Sequence, residues 1–333
     1  MEPISETMTT TQVPGIVKVL GSILSRPSQQ VQDYAAHQFR ILQRNDAKRL
    51  ALHRDRSSPF CMSAAESREG DERNRYSNII PFDYNRIKLK GGVCDYINAS
   101  MIEAPYDIPR KYIATQGPLQ NTIGDFWRMV VEQNTRVIVC LSPEMENNRE
   151  KCARYWPVGS EEKEIDNCSV VVQNVAPEET NMDADCIVRR IKVTIRLDSD
   201  DDDKQQSGLT STVVTQLQFL GWADFSVPQT THEVIALSRL ADQIQPPDAG
   251  PMVVHCSAGC GRTGTFCVVN SGSEWMRRMM RSPENHQQKI DPVFALVDAF
   301  REQRTTMVQA SSQYLFCYKA LLDVFQQEFG TYP

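Results

Sequence analysis

Hydrophobic residues recur at helical spacing in two segments near the start of the chain and in two near its end. Residues 14–24 (PGIVKVLGSIL) and 29–44 (QQVQDYAAHQFRILQR) predict two short amphipathic helices. Residues 290–328 contain two further helical patterns, separated by RTTMVQASS at 304–312. Residues 54–74 are polar and mixed in charge, which predicts a loop after the first pair of helices.

Short apolar or alternating segments in the middle of the chain predict strands. Residues 137–142 (VIVCLS) form a continuous apolar run, which is typical of a buried strand. Residues 191–197 (IKVTIRL) and 213–220 (VVTQLQFL) alternate apolar and polar positions, which predicts two paired strands. Between them, the acidic stretch DSDDDDKQQSG at 198–208 predicts a solvated hairpin loop. A calcium loop is the alternative, but its pattern of alternating oxygen ligands, a glycine and a distant glutamate is missing.

The composition is typical of a soluble globular protein and narrows the function classes. Of 333 residues, 41% are hydrophobic and 23% are charged, so a large core can form, and length alone suggests about two domains. The net charge of -6 argues against a protein that binds nucleic acid mainly through phosphate contacts, although one basic pocket for an anion is compatible with it. The sequence contains no run of 18 apolar residues, so it predicts no membrane span.

The N-terminal stretch and the cysteines indicate the compartment. MEPISETMTTTQVPG lacks the basic start and apolar segment of a secretory signal. We therefore interpret the ten cysteines as reduced thiols and expect a cytoplasmic protein, with access to the nucleus left open. Most of them lack a partner at metal-ligand spacing and are expected to be small apolar residues, namely Cys61, Cys94, Cys140, Cys168 and Cys186.

The stretch VVHCSAGCGRTGTF at 253–266 contains the strongest chemical signal. An apolar strand pattern precedes Cys256 and a helical pattern follows Arg262, so the residues between them form a strand-to-helix turn. Backbone amides at a helix N-terminus bind anions and stabilise a thiolate, and Gly259 and Gly261 let the backbone curl around the anion. Arg262 adds a two-pronged donor for phosphate oxygens. The alternatives are a buried cysteine beside a surface arginine, a sulfur transferase and an arsenate reductase.

Seven further segments accompany this turn in a fixed order. They are NRYSNIIPFDYNRIKL (74–89), DYINAS (95–100), YIATQGPL (112–119), DFWRMVVEQ (125–133), KCARYWP (151–157), GWADFSVP (221–228) and VQASSQY (308–314). Together with HCSAGCGRTG they resemble the motifs of the phosphotyrosine-specific, cysteine-dependent protein tyrosine phosphatases, as a non-receptor type catalytic domain. The resemblance implies a single α/β domain at 70–330, with a highly twisted mixed β-sheet flanked by α-helices. Residues 1–69 would then be an N-terminal helical extension or cap.

The resemblance implies catalytic roles for eight residues. Cys256 would attack phosphorus, Arg262 would clamp the phosphate, and Asp224 would act as general acid and then as general base, worth about 10²–10⁴-fold. Gln309 would orient the hydrolytic water, with Gln313 beside it, and Thr263 would assist departure of the thiolate. His255 would orient the nucleophile and lower its pKa, and Glu146 would pair with the arginine.

The resemblance also implies how phosphotyrosine is selected. Tyr76 would stack on its ring and make the cleft too deep for phosphoserine, and Asn78 would hold the substrate backbone; without the resemblance Tyr76 would be assigned to core packing. The remaining substrate-binding residues are Ser257, Ala258, Gly259, Cys260 and Gly261 in the turn, Trp222 and Phe225 beside the acid, and Lys151 near the mouth of the cleft. The expected partners are phosphotyrosine-containing proteins. We expect a monomer that needs no cofactor and no metal, and that binds neither nucleic acid nor a membrane.

Three features depart from the family pattern. The acid loop usually reads Trp-Pro-Asp-x-Gly, whereas this chain has Ala223 and Ser226 beside the acid, which alters the backbone restrictions of the loop and its closing equilibrium. A phosphotyrosine-binding pseudophosphatase is therefore the alternative function, and a dual-specificity or lipid phosphatase is a weaker one. Ala310 stands where threonine is common. VVNSGSEW at 268–275 has weak helix propensity for which the sequence offers no functional account.

The second cysteine of the turn, Cys260, has two interpretations. It stands where the family often has Ile or Val, so the first is a small apolar filler. The second follows from the easy oxidation of a low-pKa thiol, since Cys260 would then be the resolving partner of oxidised Cys256.

Overall fold

The computed structural model describes residues 13–90, 94–160, 162–165, 169–197, 208–222, 226–281 and 289–330. Within them the helices are α1 (Gly15–Leu24), α2 (Ser28–Leu50), α3 (Arg68–Asp71), α4 (Ile123–Glu132), α5 (His232–Ile244), α6 (Gly261–Arg281), α7 (Pro292–Gln303) and α8 (Ser311–Phe329). A 3₁₀ turn at Gln120–Thr122 precedes α4.

The strands of the same residues form one large mixed sheet and one small hairpin. They are β1 (Arg86–Lys88), β2 (Tyr96–Glu103), β3 (Lys111–Thr115), β4 (Val137–Cys140), β5 (Met145–Glu146), β6 (Arg149–Glu150), β7 (Lys163–Ile165), β8 (Val170–Asn174), β9 (Glu179–Asn181), β10 (Cys186–Leu197), β11 (Gly208–Phe219) and β12 (Met252–His255). The large sheet has the order β1-β2-β3-β12-β4-β11-β10-β8-β7, with β9 beside β10, and β5 pairs with β6 separately.

The centre of the sheet is parallel and its flanks are antiparallel. Strand β12 pairs in parallel with β3 and β4, and β4 pairs in parallel with β11. Both β4 and β12 are buried along their whole length, which explains why each reads as an apolar run. Strand β12 therefore lies in the middle of the sheet and ends at the edge formed by the carboxyl ends of the parallel strands.

Helices cover both faces of this sheet. Alternate residues of β12 point to opposite faces, so Val254 packs in the core formed with α1, α2 and α5–α8, while Val253 packs in the core formed with α4. The mixed sheet between helical layers confirms the single α/β domain predicted from the resemblance. In the described residues no helix is long and apolar enough to cross a membrane.

Most predicted elements are confirmed, with differences at their ends. The run at 137–142 forms β4, and the alternating segments form the β10–β11 hairpin, in which Leu197 and Gly208 are register partners. The acidic stretch lies outside the described residues except for Gly208. The polar stretch at 54–74 was expected to be a loop throughout, but it contains α3, whose Gly70 amide donates to Ser67 Oγ at 3.0 Å.

The weak helical stretch at 268–275 lies inside α6, where packing replaces propensity. Asn270 is fully buried, accepts a hydrogen bond from the Tyr112 hydroxyl at 2.6 Å and donates to Asp242 at 2.9 Å. A Cβ on Gly272 would lie 2.7 Å from the Leu321 side chain, so the glycine allows α6 and α8 to approach closely. These residues therefore join α6 to its neighbours.

Candidate active site

The turn between β12 and α6 forms the floor of a cavity of about 400 Å³. Helix α6 begins at Gly261, directly after the turn. Its first backbone amides therefore converge at the part of the cavity that Cys256 lines. Gly259 has φ +71°, and a Cβ there would lie 2.1 Å from the Thr115 carbonyl oxygen. Only glycine fits that position, because both the dihedral and the space exclude a side chain.

Cys256 is buried, with 4% of its surface exposed, yet its pKa is lowered. Burial alone would raise the pKa of this thiol, but the positive charge of Arg262 and hydrogen bonds from Thr263 and the Cys260 amide outweigh it. A lowered pKa means that more of the group is thiolate at neutral pH, and the thiolate is the nucleophilic form.

Arg262 is held at the base of the same cavity with 1% of its side chain exposed. Its Nη1 donates to the Trp222 carbonyl at 2.8 Å, and its Nη2 donates to Glu146 Oε2 at 3.3 Å. These two anchors fix the plane of the guanidinium, so the donor fork has one orientation toward the cavity.

The His255 ring contacts the turn as a neutral group, through a hydrogen bond to the backbone of Cys256. Burial lowers the pKa of His255 to about 4, so the ring is neutral at pH 7. Its Nδ1 then donates to the Cys256 carbonyl at 3.1 Å, and its Nε2 accepts from the Tyr155 hydroxyl at 2.8 Å. Gln216 Nε2 donates to that hydroxyl at 2.8 Å, which fixes the ring from the far side.

Asp224, together with Ala223 and Phe225, lies outside the described residues. The residues on either side are tied to each other, because the Trp222 indole nitrogen donates to the Ser226 carbonyl at 2.8 Å. The indole is 1% exposed and packs against Phe316 at 5.9 Å between ring centroids. The loop that carries Asp224 therefore starts from a fixed point beside Arg262.

Gln309 and Gln313 lie above the start of α6. A Cβ on Gly261 would be 3.3 Å from Gln309 Cβ and 3.1 Å from Gln313 Oε1. Gln309 lines the cavity, whereas Gln313 is buried in the first turn of α8. Its Oε1 accepts from the amides of Gln309 and Ala310, both at 3.1 Å, so it orders the loop before the helix.

The predicted substrate-binding residues border the mouth of the cavity. Tyr76, Asn78 and Lys151 line it with Ser257 and Ala258 of the turn, and the Tyr76 hydroxyl lies 2.9 Å from Ser257 Oγ. Gly261 of the turn also lines the cavity, whereas Cys260 is fully buried and does not reach it. The cavity is therefore walled by residues from four separate segments of the chain.

Two arginines that support the site were missed in the sequence. Arg75 donates to the Gly117 carbonyl at 3.0 Å and to the Pro118 carbonyl at 2.7 Å. Arg304 is fully buried and donates to the Gly259 carbonyl at 2.8 Å and to the Ala258 carbonyl at 3.0 Å. Arg75 lies inside the motif at 74–89, directly before Tyr76, and Arg304 lies four residues before the motif at 308–314, so their positions were the available signal.

Cys260 is fully buried beneath the turn, and burial raises its pKa to about 11. A neutral thiol at that position agrees with the interpretation of a small apolar filler. The oxidation of Cys256 with Cys260 as resolving partner stays a prediction.

A larger cavity, of about 660 Å³, lies elsewhere and is bordered by Trp156, Pro177 and Arg189. It contains none of the predicted site residues. Chemistry rather than volume therefore locates the candidate active site.

A family model described as "Protein-tyrosine phosphatase" matches residues 71–323. The chain belongs to the protein-tyrosine phosphatase family. It is 40% identical over 266 residues to the human receptor-type tyrosine-protein phosphatase alpha, covering 78% of this chain and 30% of that protein. It is 31% identical over 314 residues to the human tyrosine-protein phosphatase non-receptor type 12, covering 93% of this chain and 36% of that one.

A third relative of this phosphatase family, the receptor-type tyrosine-protein phosphatase C of Rattus norvegicus, is 36% identical over 273 residues and covers 81% of this chain and 20% of that protein. The chain thus spans about a third or less of the length of these relatives. Both receptor and non-receptor types occur among them.

Proposed function

We propose that this chain is a protein tyrosine phosphatase that hydrolyses phosphotyrosine in proteins through a phosphocysteine intermediate. The observation that carries the proposal is the lowered pKa of Cys256 at the floor of the cavity, beside the anchored fork of Arg262. A nucleophile and a phosphate clamp on one amide-lined turn are the equipment of phosphoryl transfer.

In the first step the Cys256 thiolate attacks phosphorus, and a sulfur–phosphorus bond forms as the bond to the tyrosine oxygen breaks. The turn amides and Arg262 bind the equatorial phosphate oxygens, where negative charge is spread in the transition state. Asp224 gives its proton to the departing phenolate, which leaves as neutral tyrosine.

In the second step water attacks the phosphocysteine. Gln309 orients that water, and Asp224, now a carboxylate, takes its proton. Phosphate leaves, and Thr263 stabilises the regenerated thiolate through the hydrogen bond that also lowers the pKa of Cys256. The two steps restore every group to its starting protonation state.

The walls of the cavity support specificity for phosphotyrosine. Cys256 is buried at the floor, and Tyr76 stands at the wall with its hydroxyl on Ser257. A side chain must be long to place its phosphate on such a sulfur, and tyrosine is longer than serine or threonine. Phosphotyrosine-containing proteins in the cytoplasm, with access to the nucleus, are the proposed partners of a monomeric enzyme.

Turnover of p-nitrophenyl phosphate in the presence of a chelator tests the proposal. We expect hydrolysis by the wild-type chain and its loss in Cys256→Ser. Peptides carrying phosphotyrosine should be hydrolysed far faster than matched phosphothreonine peptides. Binding of phosphotyrosine peptide without turnover would instead show the pseudophosphatase, and equal rates on both peptides would contradict the role of Tyr76.

A further inference from the structure

Arg301, on α7, is a buried cation that binds the backbone just before Gln309. Only 2% of it is exposed. Its Nε donates to the Met307 carbonyl at 2.9 Å and its Nη2 donates to the Val308 carbonyl at 2.7 Å. These are the last two carbonyls before the residue proposed to orient water, so Arg301 fixes the backbone from which Gln309 projects.

Residues 306–308, the segment that Arg301 binds, have unfavourable backbone dihedral angles and contact the catalytic turn directly. Thr306 and Val308 have φ of +58° and +59°, a region that β-branched residues rarely adopt unless their surroundings impose it. The Val308 amide donates to the Cys260 carbonyl at 3.1 Å. A Cβ on Gly264 would lie 2.3 Å from the Val308 nitrogen, so the segment rests on the first turn of α6.

The third nitrogen of Arg301 is held by a residue from the N-terminal helices. Its Nη1 donates to Asp46 Oδ2 at 2.9 Å, and Asp46, on α2, is itself only 6% exposed. The partners of the other two nitrogens are neutral carbonyls, so Asp46 provides the negative charge bonded directly to this buried guanidinium. Removing one partner of a buried ion pair leaves the other charge uncompensated, which is the costly case.

Neighbouring charges distinguish Asp46 from the rest of the α2–α7 interface. Arg49 lies 3.7 Å from Asp46 Oδ1 but bonds chiefly to Asp298 and Glu302, both at 2.9 Å. Asp298 therefore belongs to the same interface but bonds to Asn45 and Arg49 rather than to Arg301, which makes it a matched control.

We propose that Asp46 is a positioning residue for the second chemical step, acting through Arg301 on the backbone that carries Gln309. The N-terminal helices, which lie outside the matched residues 71–323, are by this inference part of the catalytic unit. The inference rests on the proposed role of Gln309. Misplacing Gln309 affects the attack of water, whereas the attack of Cys256 on substrate does not use that side chain.

The test is rapid-mixing kinetics with p-nitrophenyl phosphate, which separates formation of the phosphocysteine from its breakdown. In Asp46→Asn we expect breakdown to slow on the order of tenfold, the scale of a displaced catalytic group, while formation changes less than about twofold. Asp298→Asn should leave both rates within about twofold. Asp46→Glu should restore part of the loss, since it keeps the charge.

Arg301→Lys provides a second variant that keeps the buried charge but cannot hold both carbonyls, and it should show the same selective loss. Equal slowing of both steps in the Asp46 and Arg301 variants, or no change in either, would overturn the inference. Absence of a phosphocysteine in the wild-type chain would overturn the proposed function instead, so the two failures are distinguishable.

Discussion

Replacing Arg262 by lysine separates the two contributions of this residue, its charge and its fork. The guanidinium is anchored at 2.8 Å by the Trp222 carbonyl and at 3.3 Å by Glu146, and 1% of the side chain is exposed. A single ammonium group cannot keep both anchors and also present two parallel donors to phosphate.

The expected magnitude follows from the two donors. Hydrogen bonds to charged groups contribute about 1.5–3 kcal/mol each, so losing two in the transition state costs about 3–6 kcal/mol. At about 1.4 kcal/mol for each tenfold in rate, kcat should fall about 10²–10⁴-fold. The pKa of Cys256 should change little in Arg262→Lys because the positive charge remains, but it should rise in Arg262→Ala, which removes the largest lowering influence.

Two assays check these outcomes on the same preparations. Steady-state hydrolysis of p-nitrophenyl phosphate gives kcat, and the pH dependence of iodoacetamide alkylation gives the pKa of Cys256. Arg239→Lys is the control, because Arg239 lies on α5 and pairs with Glu328 away from the cavity. A kcat within about threefold of wild type in Arg262→Lys would show that the fork is not needed, and an unchanged thiol pKa in Arg262→Ala would show that the charge does not act on Cys256.

Three further predictions concern the acid, the histidine and the glycine of the site. Asp224→Ala should lower kcat by about 10²–10⁴-fold and abolish the fall in rate at basic pH, measured as a pH–rate profile; an unchanged profile would contradict its assignment. His255 has its pKa lowered from 6.5 to about 4, so its contribution to stability is present above pH 6.5 and is lost progressively as pH falls from 6.5 to 4. The loss should be about 3 kcal/mol in urea unfolding and absent in His255→Gln. Gly259→Ala should lower the unfolding free energy by at least about 1–2 kcal/mol and abolish turnover, since alanine would have to adopt a left-handed dihedral and its Cβ would clash with Thr115. A variant as stable and active as wild type would contradict both expected effects.

Local patterns predicted those elements of the fold whose burial is apolar. Strands β4 and β12 are buried on both faces, so their apolar runs are visible in the sequence. Helix α2 extends to Leu50, six residues beyond the predicted end at 44, and its last two turns bury Asp46 and Arg49. Ion pairs with α7 bury those side chains, and hydrophobic periodicity cannot reveal a partner more than 200 residues away.

The candidate site was predicted in its chemistry but not in its supports. Cys256 and Arg262 belong to one contiguous turn, so spacing alone relates them. Arg75 and Arg304 hold backbone carbonyls from distant segments, and no local pattern distinguishes such arginines from surface ones. The neutral state of His255 also depends on burial, which only the three-dimensional structure shows.

The step that defines this mechanism is the passage of phosphate through the sulfur of Cys256. Acid quenching of the wild-type chain during turnover of a phosphotyrosine peptide, followed by proteolysis and mass spectrometry, measures this directly. We expect one phosphate on the peptide that contains Cys256, and none in Cys256→Ser. Turnover that continues in Cys256→Ser, or phosphate found on another residue, would contradict it.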